Sequence, residues 1–244
     1  MLFFKNKQKE IVEKELSDFK NKHVGQRCFI IGNGPSLRME DLDKLKNEVT
    51  FAVNRIYLSF TKTDWRPTYY AIQDSKMIDQ YFHDVENLPV KYKFIPSYMK
   101  DKFLNKTGNV YYYNYRLRLF DGTTPLFSDD IAQQTYEGGT VTYLCMQLAT
   151  YMGFKEIYLI GNDFTYSLEK TNEGIKVNNV KDYFVDNYIG STETRFYPRL
   201  DLCEEAFRFA KQTCDEKGIT IYNATRGGKL EVFPRVDFDT ISFK

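Results

Sequence analysis

Histidine is nearly missing from this sequence of 244 residues, with only His23 and His83 present. His23 lies beside a stretch that reads as an N-terminal helix and His83 at the end of another helical stretch. Neither stands near the polar residues discussed below, which argues against a His-based catalytic triad or a histidine zinc site. Cysteine is also scarce. The four present, Cys28, Cys145, Cys203 and Cys214, form no CxxC pair. Some sit in apolar periodic runs, where cysteine acts as a small hydrophobe, so they point to a reducing cytoplasm and not to a zinc centre. No run approaches the roughly 18 apolar residues of a membrane helix, and the start lacks a signal-peptide core and cleavage site. The expected location is the cytoplasm. Excess charge of either sign is missing too: 34 basic residues stand against 33 acidic ones. Without a broad basic field to release counterions, a nucleic-acid partner is not expected.

Aromatics are abundant instead, with 19 Tyr and 20 Phe in a 16% aromatic share. They can stack on sugars and bases, although core packing accounts for most of them. The length fits one domain or one with an insertion. Residues 1–24 read as an amphipathic brace, with Ile11, Val12, Leu16 and Phe19 near helical spacing. Leu2, Phe3 and Phe4 ahead of Lys5, Lys7 and Lys9 form an apolar edge with basic neighbours, the pattern of peripheral membrane contact. A frayed terminus or a docked helix explains it equally well.

Residues 25–244 alternate strands and helices. Apolar runs at 27–31, 49–53, 68–72, 92–95, 109–113, 156–160 and 219–222 read as strands. Helical spacing follows at 39–45, at 141–152 and through Leu202, Ala206, Phe209, Ala210 and Thr213. The stretch from 115 to 135 has no clear period. From about 164 to 199 the chain turns polar with scattered tyrosines, the composition of a mobile lid over an active site. The fold class is therefore α/β: a doubly wound, Rossmann-like, mostly parallel sheet with helices on both faces.

In such sheets ligands bind beyond the carboxyl ends of the strands. Asn33, Asn54, Asp74 and Asp163 all fall within three residues of a strand's end. Gly32-Asn33-Gly34-Pro35-Ser36 is a strand-to-helix turn in which Gly32 and Gly34 allow close backbone approach and Ser36 can cap the next helix, so it is a candidate anion cradle. It matches neither GxGxxG nor the lysine-containing phosphate loop. Gly138-Gly139-Thr140 opens a helix and offers a second candidate, or a plain capped entry. Asp74 and Asp163 could hold Mg²⁺ beside a diphosphate or act on an acceptor hydroxyl, although capping suits either alone. No cofactor is otherwise required.

The blocks Ile31-Gly32-Asn33-Gly34-Pro35-Ser36-Leu37 and Met152 to Phe164 resemble the signature blocks of the small bacterial lipooligosaccharide sialyltransferases, glycosyltransferase family 42. With Gly138-Gly139-Thr140-Val141-Thr142 and Ile221-Tyr222-Asn223-Ala224-Thr225 included, the sequence is more similar to a related family that holds the archaeal-type 6-hydroxymethylpterin diphosphokinases. The resemblance implies a transferase with a nucleotide-activated donor, a CMP-sugar in the sialyltransferases, and a glycan acceptor on lipooligosaccharide or surface polysaccharide. It matches Asn33, Asn54 and Tyr188 to residues that contact the donor and Asp163 and Phe164 to the Asp-Phe pair that ends the later strand at the same rim, with Tyr166 one place from a further donor tyrosine. Three residues beyond Tyr188, where those sialyltransferases carry their catalytic histidine, this chain has Ser191. Serine needs help to act as a base at neutral pH, so in a glycosyl transfer Asp163, Asp182 or Glu193 must take the proton, or the base lies elsewhere in the unaligned lid. A Mg²⁺-dependent diphosphokinase, with Arg55 as a source of positive charge, and a nucleotide-binding module without catalysis are the alternatives. Self-association of the chain is left open.

Overall fold

The computed structural model describes residues 16–103, 108–116, 120–121, 124–189 and 198–244. Seven strands form one sheet: β1 (Arg27–Ile31), β2 (Thr50–Val53), β3 (Tyr69–Ala71), β4 (Tyr92–Pro96), β5 (Val110–Tyr113), β6 (Glu156–Ile160) and β7 (Thr220–Asn223). Their order is β7-β6-β1-β2-β3-β4-β5, and every neighbouring pair is parallel. The chain thus builds outward from β1 through β5, then returns to the other side of β1 with β6. That reversal leaves a crevice between the carboxyl ends of β1 and β6, the switch point where doubly wound sheets bind ligands.

Among the described residues, four helices with full bounds accompany the sheet: α1 (Met39–Lys44), α2 (Ser75–Glu86), α3 (Val141–Tyr151) and α4 (Leu200–Glu216). Helix α3 packs on β1, β2 and β3 and against α4, and all but one of its residues are buried, so its sequence is apolar nearly all round. On α4 the buried stripe is Cys203, Ala206, Phe207, Ala210 and Cys214. The expected stripe through Leu202, Phe209 and Thr213 is rotated by one position, and those three are only half-buried. Cysteine counted as an apolar residue restores the true face, and all four cysteines are buried free thiols.

Most aromatics serve the core, as expected. Phe51 stacks on its register partner Tyr69 at 4.7 Å, and Tyr69 stacks on its partner Tyr92 at 5.1 Å. Phe19 closes this row edge-on against Tyr92 and Tyr111. The N-terminal expectation falls largely outside the described residues, but Leu16 and Phe19 are buried and act as a brace. His23 belongs to the same brace: it stacks on Phe154 and its Nε2 meets the Tyr69 hydroxyl at 2.7 Å.

Between β5 and α3, Tyr115–Arg116 pairs with Thr135–Tyr136. After β6, Leu168–Thr171 and Gly174–Val177 form an antiparallel hairpin that the sequence reading did not assign. Its strands alternate Lys, Glu and Thr with few apolar residues, so they carry no half-buried period. The tail after β7 is loop-like apart from a short 3-10 turn, yet it is tied down: Arg226 spans Asp41 and Asp239, and Phe238 is buried. Among the described residues, no helix is long and apolar enough to cross a membrane.

Candidate functional site

A cleft of about 560 Å³ opens along the carboxyl ends of β6, β1, β2 and β3. Gly32, Asn33, Gly34, Asn54, Asp74, Gly139, Thr140, Asp163, Phe164, Tyr166, Asp182 and Tyr188 all line it, so one space unites most of the residues singled out from the sequence. Ser191 and Glu193 lie outside the described residues. Pro35 and Ser36 belong to the same turn but are not among the residues that line the cleft.

The glycine turn is built for loop contact. The N–H of Gly32 donates to Ile160 O and that of Gly34 to Gly161 O, both at 2.8 Å. A Cβ on Gly34 would stand 1.9 Å from Asp163 Oδ2, and one on Gly32 would stand 2.4 Å from Gly161 O. Ser36 does not cap α1, whose N-cap is Arg38; its hydroxyl donates to Asp163 Oδ2 at 2.8 Å, and its N–H reaches the same oxygen at 3.4 Å. The expected anion cradle is therefore already spent on the 161–163 loop, with a carboxylate laid across it. Glycine is required there because the two switch-point loops touch.

Helix α3 supplies the N-terminus that does face the cleft. Gly139 adopts φ +72°, Thr140 Oγ1 accepts the Thr142 N–H at 2.9 Å, and Gly139 to Thr142 line the space. Thr142 Oγ1 in turn donates to Asn162 Oδ1 at 2.8 Å, fixing this helix end to the switch point. The positive end of an 11-residue helix favours an anionic group.

Backbone strain collects at the rim. Asn54 (φ +50°) and Phe164 (φ +56°) hold left-handed conformations without being glycine, and both line the cleft. The side-chain oxygens of Asn33, Asn54 and Gln73, which follow β1, β2 and β3 in sheet order, are buried and accept no hydrogen bond. Asn33 spends its Nδ2 on Val53 O at 2.9 Å, which fixes the orientation of its amide. Gln73 was visible in the sequence only as the neighbour of Asp74.

The carboxylates divide between two ends. Asp163 is only 7% exposed, and burial pushes its pKa up against the opposing pull of Ser36. At the far end Asp74 caps α2, its Oδ1 accepting the Met77 N–H at 2.9 Å. The carboxylate that feels Asp74 is not Asp163 but Glu137, whose pKa burial and then Asp74 both raise. Sequence reasoning missed Glu137, which has no motif beyond preceding Gly138-Gly139. Its place is set by buried Gln147, whose Oε1 accepts the N–H groups of Ser128 and Tyr136 and whose Nε2 donates to Tyr136 O. No Lys or Arg is among the described residues that line the cleft.

From the stretch expected to form a lid, Phe164, Thr165, Tyr166, Asp182, Tyr183 and Tyr188 line the space. Asp182 accepts from both the N–H and the hydroxyl of Ser167. Phe184 N–H donates to Asn33 O at 3.0 Å, tying the cover to the glycine turn. Tyr188 is buried, stacks on Tyr183 at 3.8 Å and accepts the Arg55 N–H at 3.2 Å through its hydroxyl. Arg55 does not line the cleft. Its guanidinium lies 3.9 Å over the Tyr81 ring and donates to Tyr188 O, so its charge clamps the cover instead of meeting a ligand. Tyr166 lines the space, and burial drives its pKa far up, so it is a neutral hydroxyl at any ordinary pH.

Among solved structures, the MAf glycosyltransferase from Magnetospirillum magneticum AMB-1 has the same fold, at a TM-score of 0.55 and 17% identity over 97% of this chain. The match spans 39% of that protein, so this chain corresponds to well under half of its length. No curated protein matches by sequence. The model of the 6-hydroxymethylpterin diphosphokinase MptE-like family matches residues 3–169, well over half of the chain, and together with the Rossmann-like sheet and its switch-point cleft this establishes that the chain belongs to the MptE-like family.

Proposed function

We propose that the protein is a transferase acting on a nucleotide-activated donor, and that the group it moves is a CMP-activated, sialic-acid-like sugar, delivered to a glycan acceptor. The observation that carries the ligand class is the row of buried, unpaired amide oxygens at Asn33, Asn54 and Gln73. A buried acceptor left unpaired costs about 1–3 kcal/mol. A nucleoside repays that cost because its exocyclic amine and ribose hydroxyls are donors that Asn33 and Asn54 can receive. Its phosphate then meets the α3 N-terminus at Gly139–Thr142.

A single phosphodiester also brings less negative charge than a diphosphate into a cleft whose described lining has four carboxylates and no Lys or Arg. In the transfer, the acceptor hydroxyl attacks the anomeric carbon, the sugar–phosphate C–O bond breaks with its electron pair passing to CMP, and the proton goes to Asp163. Burial raises the Asp163 pKa toward the working range of a general base. The buried tyrosine hydroxyls of the cover donate to the departing phosphate. Both location in the cytoplasm and action on surface polysaccharide belong to this reading.

One observation favours a second reading, Mg²⁺-dependent diphosphoryl transfer of the MptE type. Asp74 and Glu137 both bring carboxylates to the cleft, hard-oxygen donors of the kind Mg²⁺ takes together with waters, so the residues fit the ion. Bound there, it would neutralise a triphosphate. Thermal melting with CMP, CDP, UDP and ATP, each with and without Mg²⁺, separates the two. CMP should raise the melting point without metal. A response to ATP alone, requiring Mg²⁺, transfers the assignment to the diphosphokinase, and no response to any nucleotide sinks both.

A further inference from the structure

The end of the cleft beyond β3 has a chemistry different from the donor end. Gln73 is 8% exposed and lines the same space, and its Oε1 is buried without a hydrogen-bond partner. Asp74 commits Oδ1 to the cap of α2 and keeps its second oxygen. Glu137 is held in place by its own N–H, which donates to Arg116 O at 3.2 Å, and by the Gln147 clasp on Tyr136. Tyr98 donates its hydroxyl to Gln73 O at 2.8 Å, and its ring lies 6.2 Å from that of Tyr115. Both rings line the cleft.

Asp74 and Glu137 both line this cleft, where burial first and Asp74 second raise the Glu137 pKa, and no described Lys or Arg lines it with them. The free acceptors are the second Asp74 oxygen, the Glu137 carboxylate and Gln73 Oε1. Three acceptors match the three N–H donors of a protonated primary amine, and tyrosine faces beside them attract an organic cation.

We infer that this end of the cleft is the acceptor subsite and that it recognises a protonated primary amine, with Asp74 and Glu137 supplying the charge, Gln73 Oε1 accepting one hydrogen, and Tyr98 and Tyr115 flanking it. The acceptor class is thus an amino sugar carrying its amine free. The inference rests on the transferase reading of the cleft and names the second substrate of that reading.

Ligand-observed NMR titrations at pH 7 with D-glucosamine and N-acetyl-D-glucosamine test it, using the full chain, Glu137→Gln, and Asp74→Asn, whose amide oxygen still caps α2. CMP is titrated into each sample in parallel. The wild type should bind glucosamine at least tenfold more tightly than the neutral N-acetyl sugar, and either substitution should abolish that preference while CMP binding persists. Equal binding of the two sugars, or a preference that survives both substitutions, overturns the inference. Mn²⁺ binding that depends on Glu137 and is not displaced by glucosamine also overturns it, by assigning the pair to a metal. Failure of CMP to bind the wild type sinks the donor assignment instead, and is read independently of the sugar titrations.

Discussion

Ser36 donates its hydroxyl to Asp163 Oδ2 at 2.8 Å across the switch point, joining the turn after β1 to the loop after β6. This bond stabilises an ionised Asp163 in a place where burial disfavours the charge. Asp163→Asn keeps an acceptor for Ser36 while removing that charge. Because the folded pKa of Asp163 is raised, its contribution to stability is full below the unfolded carboxylate value and is lost as pH rises through the folded one. The variant should therefore melt at or above the wild-type temperature at pH 7, yet lose about 10²–10⁴-fold in transfer rate. A variant with unchanged turnover removes Asp163 from the role of base.

Gly34 is fixed by contact, not by an unusual φ. Its missing Cβ would lie 1.9 Å from Asp163 Oδ2 and 2.8 Å from Gly161 O, and the second atom is backbone and cannot swing away. Gly34→Ala should lower unfolding stability by about 1–3 kcal/mol, read as an earlier urea midpoint. Adding Asp163→Asn should not restore it, since the amide is as large as the carboxylate. An alanine variant with the wild-type midpoint would show that the two loops part freely.

The sheet and the rim were legible because β-branched and aromatic runs end abruptly in glycine or polar residues at each strand terminus. Asn33, Asn54, Asp74 and Asp163 were found by that rule alone, and the cleft joins them. What the sequence concealed was partnership. Nothing local indicates that Ser36 turns away from its own helix to a residue 127 positions later, or that Asp74 raises the pKa of Glu137 and not that of Asp163. Gln147 sits inside an apolar helical period, and its role in seating Glu137 appears only once Ser128 and Tyr136 fold against it. The hairpin at 168–177 lacks apolar alternation because its strands are largely solvated.

Arg55 holds the cover through a flat guanidinium stacked 3.9 Å over Tyr81, with Nη1 donating to the Tyr81 hydroxyl at 2.9 Å and to Tyr188 O. Lysine keeps the charge but neither the plane nor the fork. Arg55→Lys should accelerate amide hydrogen exchange in residues 182–189 while leaving β1 and β6 protected. Uniform exchange across the chain, or none gained at 182–189, contradicts a clamping role.

Asp239 in the tail is held down to about 2 from an ordinary 3.8, by a hydrogen bond from Lys44 first and from Arg226 second. A lowered carboxylate pKa contributes stability above its unfolded value that is lost as pH falls through the folded one. Lys44→Met and Arg226→Met should each raise the Asp239 titration midpoint toward 3.8 in carboxyl-detected NMR, with Lys44→Met giving the larger shift. Arg226→Met should also loosen the tail, because the same guanidinium donates to buried Asp41 at 2.6 Å. A midpoint unmoved by either substitution would mean that this contact is not populated in solution.

Gln73 gives the most direct test that the unpaired amides are there for a ligand. Its Oε1 is buried without a partner, so the free protein bears a desolvation cost of about 1–3 kcal/mol that a similarly shaped apolar side chain does not. Gln73→Met should raise the stability of the free protein by up to that amount in chemical denaturation. The same substitution should weaken binding of the second substrate, because the oxygen that receives its hydrogen is gone. A site shaped only by packing predicts the reverse order: stability unchanged or lower, and binding indifferent. Stability gained at the expense of binding is the signature of a polar group retained for function.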